Sequence, residues 1–372
     1  MADNDPDAPV DEQQVPQDDA LLAADAPTSD APAESSNLPE GEATDIPPGD
    51  EDKARDYSAM RNAFMEASSV VPKSAAPGAL TAELVGQNLS LLARTGNGLN
   101  HAYTRLEIHN KDITNLDILE NYPHLRYLDM SDNRISDIDA LSSLEYLLSL
   151  DLHSNSLRVI PAAIDKRKYL QQANFAKNSI ERIDVVSWPM LGWLNISENQ
   201  LTVLNLEEFS ELVHLEARLN KLTHTSGIRA PKVQRMYLAQ NQIRHLVDLD
   251  DKPNLILLHL RENFIETLDG INENLKSLSY LNLRGNRISS FDQIDHLAVL
   301  PNLKSLSLVE NPITELPNYR LEIIMRLKKL ERLDKDPVTE DEREEAEQYH
   351  LQLEKARKDA EDVHEDAAEE DH

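Results

Sequence analysis

The chain has 372 residues, 67 Asp plus Glu against 37 Lys plus Arg, and a formal net charge of −30. That excess of acid argues against nucleic acid and anionic membrane as direct partners, and the absence of cysteine removes thiol nucleophiles, thiolate metal sites and disulfides. No apolar run approaches the ~18 residues of a membrane-spanning helix, and the acidic N-terminus lacks a signal peptide's apolar core, so a soluble cytoplasmic protein is expected.

The acidity belongs to the ends. Residues 1–52 hold 16 acidic and no basic residues, residues 336–372 hold 16 acidic and 4 basic, and of the total of −30 only −2 is left for residues 53–335. Residues 1–56, rich in Pro, Ala, Asp and Glu, cannot bury enough apolar surface to offset chain entropy, and disorder is expected. Residues 57–79 read as a linker with weak helicity around Met60 and Phe64. From residue 80 the composition changes. Thr81 can cap a helix running to about Thr95, with Leu84, Val85, Leu89 and Leu92 on one face and Gly96 and Gly98 in the turn that ends it. Residues 80–105 are therefore expected to form a helical N-terminal cap.

A repeat follows over residues 106–317. The stretch Leu278 to Ile288 reads LSYLNLRGNRI, the L-x-x-L-x-L-x-x-N-x-I pattern of a leucine-rich repeat. The Asn position recurs as Asn133, Asn155, Asn178, Asn199, Asn220, Asn241, Asn263, Asn286 and Asn311. An earlier copy with Leu106, Ile108 and Ile113 has Lys111 in that position, which brings the count to ten. Ala173 and Ala217 occupy degenerate strand positions. One coil cannot bury its own apolar face, so stacked coils must share a core. The expectation is an α/β solenoid of ~22-residue coils, with a parallel sheet on the concave side and helical caps at both ends.

Residues 318–335 (NYRLEIIMRLKKLERLDK) place Leu321, Ile324, Met325, Leu327, Leu330 and Leu333 over the last coil, with Arg320, Arg326, Lys328, Lys329 and Arg332 pointing outward. Residues 336–372 then read as a charged helix, opened by a Thr339–Glu342 capping box, fraying into an acidic tail. Its apolar positions keep no sustained heptad, so an exposed helix is preferred to a coiled coil.

Enzyme constellations are absent from the sequence: no phosphate-binding loop, no G-x-S-x-G and no H-E-x-x-H. His109 and His153 share a slot two coils apart, roughly 10 Å at the ~4.8 Å strand spacing, too far for one ion. No metal, cofactor or small-molecule substrate is expected. The informative positions flank the strand leucines, because alternating side chains turn them to the concave face. Glu107, Asp129 and Asp151 form an acidic column over the first three coils. Trp193, Tyr237 and Tyr280 are candidate aromatic anchors, and Arg218, Arg235, Arg261 and Arg284 make the later coils basic. Three stacked acids repel unless something compensates them, and aromatic and Arg residues are the usual interface anchors. A protein-binding face of opposed charge is expected.

The segment LSLLARTGNGLNHAY (Leu89 to Tyr103), the stretches LHLRENFIETLDG and SLSYLNLRGNRI, and the closing YR…LERLDK (Tyr319 to Lys335) resemble the leucine-rich repeat-containing protein 23 family over about residues 80–345. The resemblance implies a non-catalytic scaffold of the axoneme of cilia and flagella, part of the cytoskeleton, located in the radial spokes and partnered by other radial spoke proteins. It does not extend to the tails. Two other readings stay open: a phosphatase-regulating repeat adaptor, which would co-purify with a phosphatase, and an acidic histone-chaperone-like protein, which would want a purer Asp/Glu run.

Overall fold

The computed structural model describes residues 78–95, 100–206 and 208–369. The expectations of disorder and weak helicity before residue 78, and the turn role of Gly96 and Gly98, lie outside those residues.

Each repeat after the first contributes a three-residue strand whose middle residue is buried, and the first contributes the seven-residue strand His101–Glu107. In chain order, α1 (Ala82–Asn88), β1 (Leu89–Arg94) and β2 (His101–Glu107) precede β3 (Tyr127–Asp129), β4 (Ser149–Asp151), β5 (Val159–Ile160), β6 (Gln172–Asn174), β7 (Arg182–Ile183), β8 (Trp193–Asn195), β9 (His214–Glu216), β10 (Arg235–Tyr237), β11 (Leu257–His259) and β12 (Tyr280–Asn282). Then come α2 (Asp292–Asp295), β13 (Ser305–Ser307), α3 (Tyr319–Arg326), β14 (Arg332–Leu333), β15 (Asp336–Pro337) and α4 (Glu340–Glu369). All strands except β5 and β7 join one 13-stranded sheet. Neighbours are parallel from β2 to β14 and antiparallel at the two ends, β1–β2 and β14–β15. The degenerate positions keep register: Ala173 pairs between Leu150 and Leu194, and both Ala173 and Ala217 are fully buried.

Two devices turn the chain after each strand. The residue before the Asn position is left-handed in every coil, with φ between 52° and 66° at Asn110, Asp132, Ser154, Lys177, Glu198, Leu219, Gln240, Glu262, Gly285 and Glu310. The Asn side chain then ties its coil to the preceding one. Asn286 Nδ2 donates to Leu283 O of its own coil and Leu260 O of the coil before, both at 2.9 Å, and its Oδ1 accepts from Ile265 N at 3.0 Å. The same pattern recurs at Asn133, Asn178, Asn199 and Asn311. A buried amide that meets donors and acceptors together satisfies backbone groups no strand partner reaches.

Behind the sheet the chain returns through short 3-10 turns such as Asp117–Asn121 and Asp139–Ser143, the brief β5–β7 pair, and α2. The core between is aliphatic, apart from an aromatic cluster in the middle coils. There Trp188 stacks on Phe175 at 6.0 Å, meets Phe209 edge-on at 5.8 Å, and donates its Nε1–H to Ile164 O at 2.8 Å.

The caps depart from expectation in extent. The N-terminal helix is α1 alone, seven residues long, with Thr81 Oγ1 accepting from Leu84 N at 3.2 Å. Residues 89–94, expected to continue the helix, instead form β1, which hairpins against β2. The helical spacing of Leu89 and Leu92 misled because backbone groups on the outer edge of β2 need partners, and a strand supplies more of them than a helix can. At the other end α3 stops at Arg326, and the chain makes β14 and β15. Ile323, Ile324, Leu327, Leu330 and Leu333 are buried there, whereas Leu321 and Met325 are half-buried. Arg320, Arg326 and Lys329 are not simply solvated, Lys329 Nζ donating to Pro301 O at 3.1 Å. Arg320 grips Glu342 at 2.5 and 3.0 Å, and Arg326 pairs with Glu322 and with Asp295. The capping box of α4 forms, Glu342 N donating to Thr339 Oγ1 and Thr339 N to Glu342 Oε2.

Candidate protein-binding face

Side-chain alternation brings the residues flanking the strand leucines onto one concave surface. Glu107, Asp129 and Asp151 stand in register on β2, β3 and β4. They do not stand uncompensated. Arg105 lies 3.3 Å from Glu107, His109 Nδ1 lies 3.3 Å from Asp129, and His153 Nδ1 lies 2.7 Å from Asp151, whose second oxygen accepts from Asn174 Nδ2 at 3.0 Å. Each acid therefore has a polar partner within the protein: Arg105 on the same strand as Glu107, His153 two positions after Asp151, and His109 reaching Asp129 from the neighbouring coil.

The later arginines are also engaged. Arg218 lies over the Tyr237 ring, 4.5 Å from its centroid. Arg261 is only 7% exposed and meets Glu262 at 2.7 Å. Arg284 meets Glu310 at 2.6 Å, and that hydrogen bond holds the Glu310 carboxyl below its ordinary value. Both glutamates are the left-handed residues at the strand exits. They lie outside the columns that the leucine spacing defines, so counting along those columns overstated the basic character of this half. Arg235, half-buried on β10, keeps its place in the concave row. Tyr280 does not serve as an exposed anchor. It is 9% exposed, stands in register between Leu257 and Ser305, and its hydroxyl accepts from Asn282 Nδ2 at 3.4 Å.

What the structure assembles instead is a ladder of rings across the middle coils. Trp193 and His214 are 6.1 Å apart, His214 and Tyr237 5.2 Å, Tyr237 and His259 6.0 Å. All four are partly exposed. His214 Nε2 lies 2.9 Å from Glu216. Burial pushes the Glu216 carboxyl up, but the His214 hydrogen bond and the charges of Arg218 and His214 outweigh it and hold the group below its ordinary value. Burial, eased by Arg218 and Arg235, raises the Tyr237 phenol. Trp193 and Tyr237 were legible as strand-slot aromatics. His214 and His259 were not, because the ladder steps between two columns and each column taken alone shows a lone histidine. Such a surface offers flat π faces, imidazole donors and one oriented guanidinium, the composition of a peptide or protein contact. Among the described residues, no group of three or more His, Asp or Glu could hold a metal ion, and no helix is long and apolar enough to cross a membrane.

Comparison with known proteins decides the family. Leucine-rich repeat profiles match residues 215–364, and two-copy repeat profiles match residues 102–143 and 123–162. Leucine-rich repeat-containing protein 23 of Bos taurus is 40% identical over 272 residues, 72% of this chain and 79% of the relative. The human protein is 37% identical over 285 residues, 76% of this chain and 82% of the relative. The chain belongs to the leucine-rich repeat-containing protein 23 family. A shorter likeness, 32% identity over 32% of this chain and 48% of the relative, links it to human cilia- and flagella-associated protein 410. Among solved structures, the functional domain of InlJ from Listeria monocytogenes superposes with a TM-score of 0.51 at 26% identity, covering 62% of this chain and 48% of that one. For a member of the leucine-rich repeat-containing protein 23 family, the solenoid is thus a shared frame, and the ring ladder is what this chain displays on it.

Proposed function

We propose that this protein is a non-catalytic, protein-binding scaffold of the ciliary or flagellar axoneme, a radial spoke component required for spoke assembly and motility, with other spoke proteins as partners. Family membership supports the ciliary reading, as does the likeness to a protein named for cilia and flagella. The observation that carries the binding role is the ladder Trp193–His214–Tyr237–His259. Four rings left partly open in adjacent coils cost solvent exposure that polar side chains would avoid, and rigid aromatic anchors repay it only when covered by a partner. The acidic column on one side and Arg218 and Arg235 on the other set the partner's direction more than its affinity.

The test is a tagged chain in a motile ciliated cell lacking its own copy. Trp193→Ala with Tyr237→Ala leaves every buried leucine in place, and should reduce recovery in salt-washed axonemes at least several-fold while thermal melting changes little. Full recovery would move the docking site off the concave face. A tagged chain that never fractionates with axonemes, in wild-type form, would reject the axonemal reading itself.

A further inference from the structure

The position just before the first buried aliphatic residue of each coil lies on the rim of the sheet, and the repeat supplies its own control there. In the later coils that position is polar: Glu211, Lys232, Asn254, Ser277, Asn302 and Lys329. Most of these are tied to a neighbour. Lys232 Nζ donates to Glu211 at 2.7 Å, Asn254 Nδ2 to Pro231 O at 3.0 Å, Asn302 Nδ2 to Lys276 O at 2.7 Å, and Lys329 Nζ to Pro301 O at 3.1 Å. In four consecutive earlier coils the same position holds His124, Tyr146, Tyr169 and Met190, all exposed. The rings run in a row, His124 to Tyr146 at 6.5 Å and Tyr146 to Tyr169 at 6.1 Å. The fold does not need them, since the later coils make the same turn without rings. Apolar side chains scattered singly over a surface are ordinary, but side by side in successive coils they make one strip, and such strips mark contacts.

Cations flank the strip. A hollow of about 300 Å³ at its N-terminal end is lined by Arg94, Asn100, His124, Arg126 and Tyr146, among others. Arg126 Nη2 donates to Arg94 O at 3.4 Å, which fixes that guanidinium at the wall of the hollow. Further along, Lys168 Nζ lies 5.2 Å from the Tyr169 ring centroid, and Lys166 is exposed. Two nearby acids are already engaged: Glu145 interacts with Arg167, and Asp165 accepts from Val186 N and Ser187 N at 3.0 and 2.9 Å. The rim is thus apolar along its line and basic at its margin, the complement of a segment that carries acids beside apolar side chains.

We propose that this rim docks a short acidic segment of another protein, seating one carboxylate in the hollow beside Arg94 and Arg126 and laying the apolar side chains that follow it across Tyr146, Tyr169 and Met190. A guanidinium held by a backbone carbonyl meets a carboxylate at little ordering cost, and the charge-assisted bond it makes there is stronger than one between neutral groups. The flat tyrosine faces then give aliphatic side chains a surface that the polar residues of the later coils do not offer. Lys166 and Lys168 stand where a second acid of the same segment would fall. A single strand of nucleic acid also pairs anions with rings, but the net charge of −30 repels a polyanion, whereas one or two carboxylates between apolar side chains call only on the local cations. The strip lies apart from the concave ring ladder, which sits on the strands themselves.

The test uses the full chain and a phage-displayed library of random short peptides. Peptides retained by the wild-type chain but lost by Tyr146→Ser with Tyr169→Ser, a variant that should melt as wild type does, should share an Asp or Glu followed by aliphatic residues. In fluorescence anisotropy such a peptide should bind about tenfold more weakly to Arg126→Gln, and separately to Lys168→Glu. Changing the peptide's acid to its amide should weaken binding to wild type by a similar factor and cost nothing further on Arg126→Gln, a coupling that a merely structural Arg126 would not show. Trp193→Ala with Tyr237→Ala on the concave face should leave peptide binding unaltered, so a failure here is distinguishable from a failure of the axonemal reading. An absence of peptides that depend on the rim tyrosines, rim-dependent peptides that are basic or uncharged, or displacement by oligothymidylate as effective as that by unlabelled peptide would each overturn the proposal.

Discussion

The two ends of the solenoid meet the same demand with different chemistry. Both close the parallel sheet with an antiparallel strand, β1 at the start and β15 at the finish. At the N-terminal end the cover is small and mostly apolar: Leu80 and Val85 are buried, Leu84 and Leu89 half-buried, and the hairpin supplies backbone hydrogen bonds. At the C-terminal end a polar network joins three elements. Asp334 accepts from Leu308 N, Val309 N and the Tyr319 hydroxyl; Arg320 holds Glu342; Arg343 donates to Lys328 O and Leu330 O; Tyr349 donates to Glu322. Burial, then the Asp334 carboxylate, holds the Tyr319 phenol well above its ordinary value, and burial likewise raises Asp334. An end closed by apolar packing should respond to loss of volume, and an end closed by charge should respond to pH.

The largest effect expected is from deleting residues 318–372. This uncovers Leu306 and Leu308, buried at the last coil, and the chain should aggregate on size-exclusion chromatography. Deleting residues 1–88 removes less buried surface and should leave a monomer that melts at lower temperature. Equal behaviour of the two truncations would erase the distinction between the ends. Leu281→Ala calibrates the interior. The residue is fully buried on β12, and the cavity should cost about 2–5 kcal/mol in chemical denaturation. Asn286→Ala should cost about 1–3 kcal/mol by orphaning the backbone groups of two coils. Lys111→Asn at the first coil, where no earlier parallel strand exists to be bridged, should change stability by under ~0.5 kcal/mol.

The pH response sharpens the contrast. Glu342 is held down to about 2, chiefly by its hydrogen bond from Arg320. A carboxyl depressed on folding contributes stability that is whole above its unfolded value near ~4.3 and is lost as pH falls toward the folded value. Amide hydrogen exchange should therefore quicken in α3 and the first turns of α4 between about pH 4 and 2, ahead of α1 and β1, and Glu342→Gln should produce that pattern at neutral pH. Simultaneous loosening of both ends would refute the charge-closed description. One expected effect is a gain. Leu219 has φ 52° with its side chain largely in solvent, and Leu219→Asn should stabilise by about 1 kcal/mol by relieving a left-handed branched residue.

The coils were legible in the sequence because their signal repeats. Each Leu–x–Leu pair has one environment, and Asn286 does in its coil what Asn133 does in another. The caps occur once, and a local cue such as Leu89 and Leu92 at helical spacing had nothing to check it, so the strand β1 was missed. On the concave face, position alone identified Trp193, Tyr237 and the acidic column. It could not reveal that Glu262 and Glu310, at the strand exits, turn back to Arg261 and Arg284. Side-chain reach across coils decides that, and no spacing rule encodes it.

The Asn positions also bear on how the molecule answers force. From Asn133 to Asn311 each amide spans the gap to the coil before it, so a pull along the solenoid axis meets nearly identical links in series. The links change character at both ends: the first coil has Lys111 in the Asn position and an antiparallel hairpin beyond it, and past the last coil Asp334 accepts from Leu308 N and Val309 N but has no amide to donate in return. Under tension the protein should peel from its C-terminal cap, and an optical trap pulling on both termini would record that cap's release as the first and lowest rip.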